Sequence, residues 1–364
     1  MIVVIADDLS GAAELAEVAR SGGHTAEVHT CFDPGVDADV VCVDAGSRGL
    51  APGSAAGVTG EVLRGVMAAA PKWIYLKFDS VLRGHVRVGL RAAMEATGRA
   101  RALLVPANPS RGRTIRGGRY LIDGVPLDTT AFAADPEHPR RSAEVATLLG
   151  GDLTGIGVPD VADAGDLARL AAGADAGTLV AGAAEFFEAL LALRSGSRPA
   201  RRQWVQSAQR DLAPGPGAVT LLVCGSQASW GTRRREAEAR GVAVFDLEEE
   251  ATDVARALEE KGVALAGIGL PLAGDTRSPA ELVSSLADRV VEILGRVRPD
   301  RLLLEGGATA AAVVRASGWT RLIAVPGGGP GTGALRPVGE DRPTLFIKPG
   351  SYLWPLDLWK SADR

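Results

Sequence analysis

The feature that most constrains the fold is a regular alternation between short apolar runs and segments with helical periodicity. Short continuous apolar runs between helices are typical of buried strands in a parallel sheet. In the first half of the chain the apolar runs occupy residues 2–6, 25–28, 40–43, 73–77 and 102–105, and the helical patterns occupy 11–20, 54–70 and 88–97. The first three segments predict one βαβ unit, and the whole series predicts an α/β domain with a mainly parallel sheet.

A second region of the same kind follows a break in the pattern. The chain has 364 residues, and because domains of about 150 residues are typical, about two domains are expected. Both periodicities stop between Ser195 and Gly217, where prolines, glycines and arginines cluster. Beyond this break, strands are predicted at 219–224, 242–245 and 301–304, and helices at 231–241, 278–297 and 308–317. We therefore predict two α/β domains, at residues 1–205 and 218–364, each with a mainly parallel sheet flanked by helices.

The charge balance and the apolar runs exclude several classes of protein. Lysine and arginine total 40 against 44 acidic residues, a net charge of −4, so neither nucleic acid nor an anionic membrane is an expected partner. The apolar runs are shorter than the 18 or so residues of a membrane-spanning helix. The N-terminus lacks the pattern of a signal peptide, and a cytoplasmic location is expected. The three cysteines and four histidines have no metal-ligand spacing, so neither zinc nor a disulfide is expected.

Two adjacent aspartates follow the first predicted strand. Asp7 and Asp8 come directly after the apolar run 2–6, and Ser10 precedes the first helical pattern. One interpretation is that Asp8 or Ser10 caps the helix. The other is that the two carboxylates bind a ligand, since ligands of parallel sheets lie at the carboxyl ends of strands. A phosphatase with an aspartyl nucleophile would need one other residue between its two aspartates (D-x-D). Asp7 and Asp8 are adjacent, which argues against that class.

A denser group of polar residues follows the strand predicted at 73–77. Lys77, Asp79, Ser80 and Arg83 bring two cations, a carboxylate and a hydroxyl within seven residues. An arginine binds a carboxylate through two parallel hydrogen bonds, and an aspartate can accept a proton from a hydroxyl group, so the group suits a hydroxy acid. The alternative is a surface turn with an ion-pair network.

The segment 106–124 is rich in Gly, Arg and Pro and has little periodicity. It is predicted to be a long ordered loop rather than a helix, and long ordered loops are often functional. Its arginines would attract an anion; they are Arg111, Arg113, Arg116 and Arg119.

Two glycine turns in the second half each join a predicted strand to a helix. Gly225 and Ser226 follow the strand at 219–224, and Gly306 and Gly307 follow the strand at 301–304. Backbone N–H groups of such turns can bind phosphate, and segments 326–333 and 348–351 are candidates to close over the same site. The alternative is that these segments are ordinary helix caps and tight turns. The sequence contains neither a P-loop nor a dinucleotide-binding fingerprint.

Taken in chain order, these motifs resemble those of the four-carbon acid sugar kinase family. The matching segments are 5–11 (IADDLSG), 44–48 (DAGSR), 77–84 (KFDSVLRG), 106–109 (PANP) with 112–114 (GRT), 225–226 (GS), 306–310 (GGATA) and 348–350 (KPG). The resemblance covers nearly the whole chain. It implies a kinase that phosphorylates tetronates such as erythronate, threonate or 3-oxo-tetronate with ATP and Mg²⁺.

The resemblance also implies roles for individual residues. The N-terminal domain would bind the sugar acid and the C-terminal domain the nucleotide, with the active site in the cleft between the domains. The implied substrate-binding residues are Asp7, Asp8, Arg48, Lys77, Asp79, Ser80, Arg83 and Arg113. The implied nucleotide-binding residues are Ser226, Gly306, Gly307, Ala308, Thr309 and Gly350. Asp79 and Asp8 are both candidates for the catalytic base, and the sequence does not rank them.

Two departures from the family pattern keep a second interpretation open. Ala308 stands where the family usually has an acidic residue, and Glu305 lies three positions earlier. The segment after Lys348 lacks the SGNFG sequence that is usual in the family. The alternative function is therefore a non-catalytic member that binds an acid ligand or acts as a sensor. The sequence identifies no metal ligands and leaves the oligomeric state open, with a homodimer as one option.

Overall fold

A computed structural model describes residues 1–135, 138–195, 217–270, 276–329, 331–350 and 354. The chain separates into two compact units by its internal contacts. Unit 1 comprises Met1–Ala26 and Cys31–Ala200, and unit 2 comprises Glu27–Thr30 and Arg201–Arg364. Most of the break between Ser195 and Gly217 lies outside the described residues, so the domain limits that we place there stay a prediction.

The strands are numbered in chain order. They are β1 Ile2–Ala6, β2 Ala26–His29, β3 Val40–Asp44, β4 Ile74–Lys77, β5 Arg101–Val105, β6 Arg113–Arg116, β7 Arg119–Ile122, β8 Val125–Pro126, β9 Ile156–Gly157, β10 Thr178–Gly182, β11 Thr220–Cys224, β12 Ala243–Asp246, β13 Val263–Gly267, β14 Arg301–Glu305, β15 Arg321–Ala324, β16 Gly333–Pro337 and β17 Thr344–Lys348.

The helices of the described residues are numbered in the same way. They are α1 Leu9–Ser21, α2 Pro52–Ala68, α3 Val86–Thr97, α4 Val145–Leu148, α5 Ala164–Gly173, α6 Ala184–Ser195, α7 Gln227–Glu238, α8 Ala251–Lys261, α9 Pro279–Leu294 and α10 Gly307–Ala316. No helix in this part of the chain is long and apolar enough to cross a membrane.

Unit 1 contains a parallel sheet in the order β3-β1-β4-β10-β5-β9. Helices cover both of its faces: Val3 and Ile5 of β1 belong to the apolar core that also contains Leu63 of α2 and Leu90 of α3. On the other face, the ring centroids of Tyr75 and Phe187 of α6 lie 5.2 Å apart. The α/β class predicted from the alternating pattern is confirmed.

The segment 106–124 is ordered and forms no α-helix, but it is not simply a loop. It contains β6, β7 and the start of the turn to β8, which pair as a small antiparallel sheet. These strands are two to four residues long and carry exposed arginines, so they show no apolar period that the sequence alone reveals.

Unit 2 contains the sheet order β12-β13-β11-β14-β17-β16-β15-β2. The first five strands run parallel, whereas β16 pairs antiparallel with both β17 and β15. One face packs under α7, where Leu222, Trp230, Leu303 and Phe346 join one apolar core. The second α/β region is thus confirmed, with a mixed sheet.

Strand β2, which the sequence predicts as the second strand of a βαβ unit, does not pair directly with β1. The two neighbours of β1 are β3 and β4, and β2 pairs antiparallel with β15. Arg321 of β15 makes two hydrogen bonds to Glu27, of 3.0 and 3.2 Å. A partner almost 300 positions away determines this pairing, which is why the local pattern did not predict it.

Candidate active site

The acid-site motifs meet at one point of the unit 1 sheet. From β1 the chain continues to β3 on one side, and from β3 it crosses by α2 to β4 on the other side. The ends of β1 and β4 therefore flank a topological switch point, which is where open α/β sheets bind ligands. Ala6 pairs with Lys77 in register, so the residues that follow both strands lie side by side.

Arg48 binds both aspartates that follow β1. Its Nε and Nη2 donate to the two carboxylate oxygens of Asp7 at 2.9 and 2.7 Å, and its Nη1 donates to Oδ2 of Asp8 at 2.6 Å. Burial raises the pKa of the Asp7 carboxyl despite the opposing effect of Arg48. The carboxylates of Asp7, Asp8 and Asp79 raise the pKa of Arg48, although burial opposes this. Arg48 thus holds the side chains of Asp7 and Asp8 next to each other.

Asp8 also caps helix α1, as one of the two interpretations predicted. Its Oδ1 accepts from the backbone N–H of Gly11 at 2.8 Å, and its Oδ2 accepts from the hydroxyl of Ser10 at 2.6 Å. The same carboxylate contacts Arg48, so capping and a role at the site are not exclusive. Asp8 is partly exposed, whereas Asp7 is buried.

Lys77 lies close enough to this pair of aspartates to interact with both electrostatically. Its ammonium is 3.1 Å from Oε2 of Glu14 on α1 and 3.2 Å from the carbonyl oxygen of Phe78. Burial alone would lower the pKa of Lys77, but Glu14, Asp7 and Asp8 outweigh it and raise the pKa. The buried ammonium therefore adds positive charge near the aspartates. The sequence did not indicate its partner Glu14.

Asp79 forms a compact turn with Arg83. Its Oδ2 accepts from the backbone N–H groups of Val81 and Arg83 and from Arg83 Nε, each at 3.1 Å, and its Oδ1 accepts from Arg83 Nη2 at 2.8 Å. Burial would raise the pKa of the Asp79 carboxyl, but Arg83 and Arg48 hold it well below its usual range. Leu82 has φ +61°, in a region that costs about 1–2 kcal/mol for such a residue.

The small antiparallel sheet brings Arg113 to this turn. Arg113 Nη1 donates to the hydroxyl of Ser80, and its guanidinium lies 5.8 Å from the ring centroid of Phe132. Tyr120 on β7 donates its hydroxyl to the carbonyl oxygen of Ser80 at 2.5 Å. Ser80 thus contacts two strands of the segment 106–124, which places that segment beside the Asp79 turn.

Two further residues of the site carry no sequence motif. Arg83 Nη1 lies 3.3 Å from Oδ2 of Asp135, and Arg140 Nη1 donates to the carbonyl oxygen of Leu82 at 2.6 Å. Asp135 and Arg140 lie more than 50 positions beyond the turn that they contact, and nothing in their local sequence marks them.

The glycine turns of the second half meet at a second switch point, within unit 2. From β11 the chain continues through α7 to β12 and β13 on one side, and β14 is followed by α10 and leads to β17 on the other side. In register, Cys224 pairs with Glu305 and Glu305 pairs with Lys348. The turns after β11, β14 and β17 therefore lie in a row at one edge of the sheet.

The first two turns touch each other. A Cβ atom added at Gly225 would lie 1.9 Å from Oγ1 of Thr309 and 2.9 Å from its Cβ. Ser226 caps α7 by accepting from the N–H of Ser229 at 3.3 Å. At α10 the N-cap is Gly306, with φ +96°, and no side chain caps this helix.

The remaining predicted nucleotide-binding residues differ in exposure. Ala308 is exposed in the first turn of α10, whereas Thr309 is buried against Gly225. Gly350 is exposed and follows β17 by two residues. Within the described ranges, no three His, Cys, Asp or Glu side chains converge as ligands for a metal ion.

Comparison with known proteins gives a family match and several relatives. The Sugar-binding N-terminal domain family matches residues 2–177. A D-threonate kinase of Bordetella bronchiseptica is 29% identical over 360 residues, which are 90% of this chain and 89% of that protein. A D-threonate kinase of Salmonella typhimurium is 33% identical over 151 residues, which are 41% of this chain but only 36% of that relative.

The fold has close matches among solved structures. A Haemophilus influenzae protein of family DUF1537 superposes with a TM-score of 0.69 at 18% sequence identity, covering 99% of this chain and 98% of that one. At this identity the match concerns the fold alone, and it extends over both units.

Proposed function

We propose that this chain, which belongs to the four-carbon acid sugar kinase family, transfers the γ-phosphoryl group of ATP to a hydroxyl group of a four-carbon sugar acid. The observation that carries the proposal is that one chain contains two switch-point sites of complementary chemistry, one in each unit. One gathers carboxylates and guanidinium groups, and the other gathers glycine turns at helix N-termini. The relatives named D-threonate kinase support a tetronate as the acceptor.

The charged site of unit 1 suits a small acid that carries hydroxyl groups. Arg48, Arg83 and Arg113 present guanidinium groups that can bind the acid's carboxylate in two-pronged fashion. Asp8 and Asp79 present oxygens that can accept from its hydroxyl groups. In the described structure these charges neutralise one another, so binding of the acid would exchange some of these ion pairs for contacts with the ligand.

The turn site of unit 2 suits the phosphates of a nucleotide. Helix α10 begins at Gly306 without a side-chain cap, so N–H groups of its first turn are available to an anion and the helix dipole favours negative charge there. Gly225 lets the neighbouring turn approach Thr309 closely. Several N–H groups that point from such turns suit the several oxygens of a phosphate chain.

Mg²⁺ would reach the site together with the nucleotide. Magnesium in kinase sites is bound largely by substrate phosphates and water, with one or two carboxylates, and no cluster of three protein ligands is found among the described residues. The ion would neutralise phosphate charge during transfer, and the residues described here build the site around the phosphates rather than around the metal.

We assign the two candidate bases different roles. Burial would raise the pKa of Asp79, but Arg83 and Arg48 hold it well below its usual range. A base of such low proton affinity works poorly near neutral pH. Asp8 is the more exposed carboxylate, so we propose Asp8 as the base and Asp79 as the residue that orients Arg83.

The direct test is release of ADP from ATP and Mg²⁺ by the full chain, over a panel of erythronate, the two threonate enantiomers, 3-oxo-tetronates and longer aldonates. We expect turnover with at least one four-carbon acid and little with the longer acids. A ligand that binds the folded state raises the melting temperature. If a sugar acid raises the melting temperature of the chain and ATP does not, the chain is the non-catalytic ligand binder instead.

A methyl group at Gly225 should weaken nucleotide binding selectively. Because the added Cβ would lie 1.9 Å from Thr309 Oγ1, Gly225→Ala forces the two turns apart. We expect a rise of about tenfold or more in the KM for ATP, since small displacements in a positioned site have large effects. The KM for the acid should stay nearly unchanged, and both are measured in the same coupled assay.

The matched control is Gly231→Ala on helix α7. The nearest atom to a Cβ there is the end of the Arg235 side chain at 3.7 Å, so the methyl fits, and alanine stabilises a helix by up to about 1 kcal/mol relative to glycine. Adding Thr309→Ala to Gly225→Ala removes two of the three close contacts and should restore part of the ATP affinity. An unchanged KM for ATP in Gly225→Ala would place the nucleotide elsewhere.

A further inference from the structure

A buried charged cluster lies directly behind the turn between β14 and α10, and the proposed reaction does not yet use it. The Glu305 cluster consists of Glu305 at the end of β14, Arg233 on α7, Lys348 at the end of β17, and Trp354. Glu305 is 2% exposed and Lys348 is 0% exposed. Charged side chains are almost never buried so completely unless they are paired.

One carboxylate holds three different segments of unit 2. Oε2 of Glu305 accepts from Arg233 Nε at 2.8 Å and from Trp354 Nε1 at 3.0 Å, and Oε1 lies 3.2 Å from Lys348 Nζ. The ammonium of Lys348 also lies 4.9 Å from the ring centroid of Trp354, within the range of a cation–π contact. The carboxylate thereby fixes α7 and the end of β17 against the end of β14.

The backbone continues this connection into the phosphate-binding turn. The N–H of Gly306 donates to the carbonyl oxygen of Lys348 at 2.9 Å. Gly306 follows Glu305 directly and is the N-cap of α10. A shift of the Glu305 or Lys348 side chain would therefore be transmitted to the first residue of the turn.

The cluster also has an excess of positive charge. Arg233 and Lys348 surround one buried carboxylate, and the second partner of Arg233, Glu236 at 2.7 Å, is partly exposed. Water screens the charge of the partly exposed Glu236, so Glu236 compensates the charge of Arg233 less than a buried carboxylate would. An anion that binds in front of the turn would be attracted by this uncompensated charge.

We propose that Glu305 is a positioning residue of the nucleotide site, which holds the charged Lys348 and the β14–α10 turn in the arrangement that an ATP phosphate requires. This inference rests on the proposed kinase function. It also assigns Glu305 a role other than replacing the acidic residue absent at Ala308: its carboxylate faces Arg233, Lys348 and Trp354 in the interior, whereas Ala308 is exposed.

The proposal predicts a pH dependence of nucleotide binding. Burial lowers the pKa of Lys348 to about 8, with Glu305 raising it and Arg233 opposing, and Cys224 is the other titratable group near it. Lys348 is therefore charged below about pH 8 and neutral above. Because the charged form attracts phosphate, the affinity for ATP should fall as the pH rises through this value. Without the Glu305 charge the fall should occur at a lower pH.

The test compares Glu305→Gln, Lys348→Met and the control Glu236→Gln in the full chain. We expect Glu305→Gln to raise the KM for ATP by about tenfold, with a nearly unchanged KM for the acid, and to move the loss of ATP affinity to lower pH. Lys348→Met should weaken ATP binding by a similar factor and abolish this pH dependence. Glu236→Gln should leave both the affinity and its pH profile as they are.

A double variant keeps the test informative if Glu305→Gln leaves too much buried positive charge to fold. Glu305→Gln combined with Lys348→Met removes one charge of each sign, and it should fold while still binding ATP weakly and without the pH dependence. Wild-type pH dependence in Glu305→Gln, or full ATP affinity in the double variant, would overturn the inference. Wild-type protein that neither binds nor consumes ATP would instead overturn the proposed function.

Discussion

Replacing Asp8 with asparagine is expected to lower kcat by about 10²–10⁴, the contribution that a positioned general base makes to proton transfer. Asparagine has nearly the same shape and is as good an N-cap as aspartate, so helix α1 should keep its cap on the N–H of Gly11. The substitution removes the charge and the proton-accepting oxygen. The measurement is steady-state kinetics with the acid that the panel identifies.

Asp79→Asn is the matched comparison, because it makes the same chemical change at the other candidate. Asp79 receives four hydrogen bonds from its own turn, and asparagine would loosen Arg83. We therefore expect Asp79→Asn to raise the KM for the acid more than it lowers kcat. A larger loss of kcat in Asp79→Asn than in Asp8→Asn would reverse the two assignments.

Asp79→Asn should also change the response to acid. A carboxyl whose pKa is lowered in the folded state stabilises the fold above its ordinary pKa of about 4, and this stabilisation is lost as the pH falls below that value. The stability of the wild type at pH 7 should therefore exceed that of Asp79→Asn, and the difference should shrink on acidification. Thermal unfolding at several pH values between 3 and 7 measures it.

Replacing Arg48 with methionine is expected to destabilise the protein by about 3–5 kcal/mol, the effect of removing one partner of a buried ion pair. Methionine fills much of the space, but it leaves the carboxylates of Asp7 and Asp8 adjacent without their shared cation. ADP release in the presence of the sugar acid should fall to the background rate, because the same guanidinium organises the carboxylates proposed to bind the substrate.

The sign of the pH effect distinguishes this charge effect from a packing defect. Without Arg48, which lowers the pKa of Asp7, the Asp7 carboxyl should bind a proton more readily in the folded state. A raised pKa in the folded state costs stability at high pH, and that cost disappears as the pH falls. Arg48→Met should thus lose less stability at pH 5 than at pH 8 in urea denaturation, whereas a cavity would cost the same at both.

Arg101→Met is the control for this experiment. Arg101 pairs with Asp175 at 2.8 Å, but both side chains are more than half exposed, and exposed pairs contribute about 0–1 kcal/mol. A similar loss of stability in both variants would mean that Arg48 acts as an ordinary surface charge.

The short apolar runs predicted several strands of unit 1 well. Strands β1, β3, β4 and β5 fall within a residue or two of the predicted runs, because a strand buried on both faces needs apolar residues at every position. The same physics should have identified β10, whose five residues are mostly buried. Its run of Thr, Leu, Val, Ala and Gly is short and weakly apolar, and no polar motif follows it.

The motif residues were predicted because strand ends carry chemistry in this class of fold. Asp7 and Asp8 directly follow β1, Lys77 is the last residue of β4, and Asp79 comes two positions after it. Parallel strands bring their carboxyl ends to one edge. The sequence also indicated the turns at Gly225 and Gly306, for the same reason. These predictions need only the order of strands and polar residues along the chain.

The tertiary structure decided which charges meet. The sequence places Arg48 some 40 positions from the aspartates that it binds, and Glu305 about 70 from Arg233 and 43 from Lys348. It also leaves unstated that Lys77 pairs with Glu14 and that β2 joins β15. The positions of strands and of polar residues along the sequence are local properties of a chain. Ion pairs and strand partners depend on crossovers that bring distant segments together.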